Sequence, residues 1–415
     1  MKFLSLVLSS ILLSVGCQSK TTESGSLASS TQKNVNTNEI SWVSDINQAF
    51  AAAKEANKLV FVECYSPTCP TCQSMEPFFK DKEVATFYNQ NFVSYKLDVG
   101  IAEQVKFLND NNIFLPTFPQ FLYFTPDGKL VHQGDVVNTV ASINAAGKLA
   151  LDETKRASSY AQRFQKGENS LDFLVSYAAF SILAKDTTAN LQVANKLFEI
   201  YPKDKIGTKE SWKITRKCVT DINNGFAKYW FDHVDAAAAF EKEDGHEGLQ
   251  NNILGAIVQS SLYSKRGLNY NTAELRKIKT IMGKIGAGEY ADGVTWEYEI
   301  KALVREKRAS ESLAIGERMY AKYKGNPMSI VYITKVFNDV YPDKSYTTSV
   351  KKWLDSVRGN IQADKDLAEM YFESARLNQK MGNLQVAKKE AQQARDLAIK
   401  ANTPPDKFIK LVNSL

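Results

Sequence analysis

Leu59-Val60-Phe61-Val62-Glu63-Cys64-Tyr65-Ser66-Pro67-Thr68-Cys69-Pro70-Thr71-Cys72 is the stretch on which the reading of the chain turns. An apolar, β-prone run that breaks at Ser66-Pro67 and then offers two thiols spaced C-x-x-C reads as strand, loop and helix N-terminus. Backbone N–H groups and the positive end of a helix dipole favour a thiolate at Cys69, the form that attacks disulfides. Pro70 suits the first helical turn, where its missing N–H costs nothing. A C-x-x-C pair also serves as a structural disulfide or as half of a zinc site. Zinc needs a second ligand pair, and Cys17, Cys64, Cys218, His132, His233 and His246 supply no second C-x-x-C or H-x-x-x-H.

The neighbourhood sharpens this reading. The run Val62 to Cys72, with an acid six residues before the first cysteine and Pro77 five residues after the second, resembles the active-site strand, loop and kinked helix of thioredoxins and protein disulfide isomerases. Trp42, Ala49, Ala53-Lys54 and Asn57-Lys58 resemble the start of thioredoxin-like domains of bacterial envelope proteins, and the likeness covers residues 40–150. It implies that Cys69 attacks, that Cys72 resolves, and that the two cycle through a Cys69-Cys72 disulfide. It further implies that Glu63 is a buried proton shuttle, with Lys96 of the strand Val93 to Asp98 as its partner. Burial raises a carboxyl's pKa, which suits proton exchange near neutrality. The family also carries a cis-proline facing the C-x-x-C. Counting back from the turn Thr125-Pro126-Asp127-Gly128 selects Pro119 over Pro116. Thr68 departs from the family's tryptophan, and Pro70-Thr71 lacks the histidine of strongly oxidising members, so a reductant or isomerase is expected over an oxidant. Cys64, in a core strand, reads as a small hydrophobe.

Ahead of this domain, Met1-Lys2, an apolar stretch from Phe3 to Val15 and the ending Ser14-Val15-Gly16-Cys17 read as an export signal. They resemble a bacterial lipoprotein lipobox, with Ser14 where leucine is usual, which implies acylation of Cys17 and a membrane anchor. Residues 18–38, nearly free of apolar side chains, read as a flexible tether.

Residues 151–415 contain Pro202, Pro327, Pro342, Pro404 and Pro405, all between stretches of helical periodicity such as Leu171, Leu174, Val175, Ala178, Ala179 and Ile182. About a dozen helices and no strand are expected. The faces Leu367, Met370, Tyr371, Ser374, Ala375 and Ala387, Ala391, Ala394, Ala398, separated by Gly382-Asn383, resemble a tetratricopeptide repeat. No strict period runs upstream, so an irregular stack of helical hairpins is expected, against a closed all-α domain. No catalytic constellation appears there.

The expected architecture is therefore an export signal with a lipidated cysteine at 1–17, a linker at 18–38, an α/β thioredoxin-like domain at 39–150 and an all-α, repeat-like domain at 151–415. The expected function is thiol-disulfide exchange at the cell envelope, without a cofactor. Protein thiols and disulfides would be substrates, a membrane thiol carrier would supply electrons, and the helical half would offer a surface for a protein partner. The alternative is a lipid-anchored scaffold whose thioredoxin-like part docks without turnover. A net charge of +6, mixed in sign along the chain, gives no basic stripe for nucleic acid.

Overall fold

The computed structural model describes residues 38–415. Cys17, the expected export signal and all but the last residue of the expected linker lie outside the described residues.

The first domain alternates strand and helix in the order β1 (Trp42–Val43), α1 (Ile46–Ala56), β2 (Leu59–Tyr65), α2 (Pro70–Phe79), α3 (Lys82–Asn91), β3 (Phe92–Asp98), α4 (Ala102–Asp110), β4 (Gln120–Phe124), β5 (Leu130–Gly134) and α5 (Val140–Leu151). The strands form one sheet in the order β1-β3-β2-β4-β5. Strand β2 runs parallel to β3 and antiparallel to β4, so it is central and buried on both faces, which is why it reads as a continuous apolar run. One face packs Phe61 with Met75, Phe79, Tyr88, Phe121 and Tyr123. The other packs Val60, Val62 and Cys64 with Leu97, Leu108, Leu122 and Phe124. Each large apolar side chain so buried contributes about 1.5–3 kcal/mol relative to exposure. This is a thioredoxin-like sheet with helices on both faces.

Local chemistry fixes the boundaries. Asp45 accepts the N–H groups of Asn47 and Gln48 to start α1, and Asn57 ends it in the left-handed region at φ 50°. Gly128 takes φ +85° in the turn between β4 and β5. Two elements escaped the sequence reading. Strand β1 has only two residues, and α4 buries a single side chain, Leu108, so neither leaves a periodic apolar signal.

Fifteen further α-helices follow between Tyr160 and Asn413, with no strand among these residues. Their apolar side chains form successive clusters, one centred on Trp212, Trp230 and Leu254 and another on Phe337, Tyr346 and Trp353. Successive cores of this kind belong to a helical, repeat-like stack. The helices Asp364–Met381 and Leu384–Lys400 form its most regular hairpin. Gly382 caps the first at φ +87°, and Ala387, Ala391, Ala394 and Ala398 are fully buried in the second.

The two halves are packed together. Leu183, the last residue of the helix Leu171–Leu183, is buried in the cluster of Cys64 and Leu108. Its carbonyl accepts the Phe114 N–H at 2.8 Å. On the far edge, the buried His132 Nδ1 accepts the Ala157 N–H at 3.1 Å, and Lys217 pairs with Asp135.

Candidate active site

Cys69 is the N-cap of α2 and Pro70 its first residue. The Cys72 N–H donates to Cys69 Sγ at 3.3 Å, so the sulfur takes the place of the usual capping oxygen. Partial burial opposes ionisation. It is outweighed by hydrogen bonds from the Cys72 thiol and from the N–H groups of Cys72 and Thr71, and the Cys69 pKa falls below the ordinary thiol value. Both cysteines are free thiols here. Cys72, one turn on, is buried, and its pKa is pushed up to about 12, by desolvation first and then by its hydrogen bond to Cys69 and the negative charges of Cys69 and Glu63. One sulfur is thus poised as nucleophile while the other keeps its proton.

The loop that presents Cys69 is tied down. Gln73 Nε2 donates to the Pro67 carbonyl at 2.8 Å, and Asn138 Nδ2 donates to Ser74 Oγ at 2.6 Å from beyond β5. Across from it, the Phe118-Pro119 peptide bond is cis, and the Cys69 thiol donates to the Phe118 carbonyl at 3.9 Å. Pro119 immediately precedes β4, whose Gln120 pairs with Cys64.

Glu63 is fully buried in β2, and no hydrogen-bond donor reaches either carboxylate oxygen. Desolvation raises its pKa to about 7, partly offset by Lys96, whose Nζ lies 3.5 Å away, and reinforced by the charge of Glu76. The register explains the pairing, since Glu63 and Lys96 are direct partners across β2 and β3. Lys96 is held by more than Glu63. Its ammonium hydrogen-bonds Glu76 and lies 5.0, 5.1 and 5.3 Å from the rings of Trp42, Phe79 and Tyr65.

Glu76 is the residue the sequence reading missed. It lies four residues after Cys72 on α2, and that i,i+4 spacing puts it on the face that looks back toward the lysine. The spacing was present in the sequence, but an acid on a polar helix face is common, and only the position of Lys96 gives it meaning. Cys64 is fully buried and far above the ordinary thiol pKa through desolvation, and Cys218 is likewise buried and raised to about 12. Neither is close to nucleophilic form.

The fold and this arrangement define a thioredoxin-like domain between Trp42 and Leu151. Residues 25–148 match the family described as Thioredox_DsbH, a protein of unknown function, DUF255. No curated protein matches the chain.

Proposed function

We propose that the chain is a thiol-disulfide oxidoreductase that transfers two electrons from Cys69 and Cys72 to a protein disulfide. The Cys69 thiolate attacks one sulfur of the substrate, a mixed disulfide forms, and the first substrate thiolate leaves. Glu63 in its carboxylate form then takes the Cys72 proton. The Cys72 thiolate attacks Cys69 Sγ, the second substrate thiolate leaves, and the Cys69-Cys72 disulfide remains. Substrate thiolates are protonated from Glu63 or solvent, and a thiol donor restores the dithiol. The carrying observation is the split between the two sulfurs: Cys69 lowered at a helix N-terminus, Cys72 raised beside a buried acid of pKa about 7. Near neutrality that acid is divided between its two forms, as a proton shuttle requires. The backbone beside Phe118 and Pro119 is the edge against which an extended substrate chain would add.

The same proposal carries a reducing or isomerising direction, export and acylation at Cys17, and a membrane thiol carrier as electron source, all on the sequence pattern alone. Replacing Cys72 with serine tests the chemistry. In C72S cells, protein disulfides are expected to accumulate on Cys69 and to disappear in the C69S/C72S double variant. Equal trapping by both variants would leave the docking scaffold as the better reading.

A further inference from the structure

An apolar cleft is shared by the thioredoxin-like domain and the helical domain. About 420 Å³ in volume, it lies between Phe114 of the loop that follows α4 and the helical residues Ile182 and Leu191, with Lys185, Lys265 and Arg266 at its edge. Phe114 is 50 % exposed, although its backbone is anchored to Leu183. Of the charged residues lining the cleft, three are cations and one, Asp221, is an anion. Asp221 is already committed to Arg266 and to the Asn223 N–H. Neither Lys185 nor Lys265 has an ion-pair partner among the described residues, and Arg266 Nε is buried without a hydrogen bond. An apolar floor with two unpaired lysines at its rim complements a segment that pairs an apolar side chain with carboxylates.

The cleft is also tethered to the thiol site. Phe114 and Phe118 are four residues apart, so their Cα atoms are separated by at most about 14 Å of extended chain. The Phe118 carbonyl is 3.9 Å from Cys69 Sγ. A substrate chain held at Cys69 therefore reaches the cleft with a spacer of about six residues. We propose that this cleft is a second docking site for the protein disulfide attacked by Cys69, and that it takes an acidic, apolar segment of that substrate. The inference rests on the thiol-exchange reading, and it gives the helical half a role in choosing substrates.

The test uses the full chain and two fluorescent peptides, each with a cysteine in disulfide linkage to a pyridine thiol, six Gly/Ser residues, and either Asp-Phe-Asp-Asp or Lys-Phe-Lys-Lys. The acidic peptide is expected to be reduced about tenfold faster than the basic one, with the preference shrinking as salt rises. The exposed double variant K185E/K265E should erase or invert the preference, and F114S should slow the acidic peptide alone. Neutral dithiodipyridine should be reduced at the wild-type rate by all of them. Equal rates for the two peptides in the wild type, or a preference unchanged in K185E/K265E, overturns the cleft. So does loss of the preference in millimolar citrate at constant ionic strength, which would mark a small-anion site instead. Inertness toward dithiodipyridine overturns the thiol-exchange reading. In that event, anisotropy of a cysteine-free acidic peptide still judges the cleft: saturable binding weakened about tenfold in K185E/K265E supports it as an acidic-peptide site, and no binding overturns it.

Discussion

A carboxyl that is fully buried, lacks a hydrogen bond and lies 3.5 Å from an ammonium group shared with a second acid is held at a cost. Glu63 shows the consequence as a pKa of about 7 against the ordinary 4.5. Between those values the native protein keeps a proton that the unfolded chain has lost, so stability falls as pH rises through that window. The deficit is complete above pH 7 and amounts to roughly 3 kcal/mol. E63Q should therefore be more stable than wild type at pH 8, by about 1–3 kcal/mol in urea denaturation, and close to wild type at pH 4.5. Because glutamine cannot accept the Cys72 proton, the same variant should resolve mixed disulfides about a hundredfold more slowly at pH 7. A variant that gains no stability at pH 8 would show that Lys96 already compensates the charge. At Cys69 the expectation runs the other way. In the reduced protein, iodoacetamide should modify Cys69 at pH values below those that modify an ordinary thiol and leave Cys72 intact, as read by peptide mapping.

At the scale of elements, the helices are coupled through buried polar groups as well as apolar faces. Asn338, in the helix Pro327–Val340, donates to the Glu373 carbonyl at 3.0 Å and to its carboxylate at 2.8 Å, and accepts from the Tyr346 hydroxyl at 2.6 Å. Desolvation raises the Glu373 pKa, with Arg376 opposing it. Removing one member leaves buried partners unsatisfied, so N338A should cost about 2–4 kcal/mol, measured by chemical denaturation. A loss below about 0.5 kcal/mol would mean that water replaces the amide. Periodicity located such helices without their partners. Asn338 belongs to a helix whose apolar stripe is legible in Ile330, Val331, Ile333, Val336 and Phe337, whereas its bond to Glu373 spans thirty-five residues.

Across the whole molecule, the joint between the halves carries its own titration. His132 is buried, with its pKa lowered to about 4 by desolvation and by the charge of Arg156, and it accepts the Ala157 N–H in the neutral form. The unfolded chain takes up a proton near 6.5 that the native joint refuses until about 4. Stability from this group is therefore full above pH 6.5 and is lost as pH falls toward 4, by about 3 kcal/mol, opposite in sign to Glu63. Hydrogen exchange at the Ala157 amide, corrected for its intrinsic pH dependence, should show the joint opening more readily between pH 6.5 and 4. H132N, which keeps an acceptor but does not titrate, should flatten that slope. An unchanged slope in H132N would assign the acid sensitivity to other groups.

By itself the sequence determined strands β2 to β5, the strand-to-helix turn that presents Cys69, the burial of Cys64 and the helical character of residues 151–415. Each of these is written in short-range patterns: an apolar run, a C-x-x-C opening a helix, a helix stop at Asn57, and apolar spacing along a helix. The tertiary structure alone decided that Glu76 shares Lys96 with Glu63, that Leu183 completes the core beneath the first domain, and that a cationic cleft stands beside the loop of Phe118. Those contacts join residues many positions apart, and only packing sets such distances, because a charge or a leucine on a helix face has the same local pattern whatever lies opposite it.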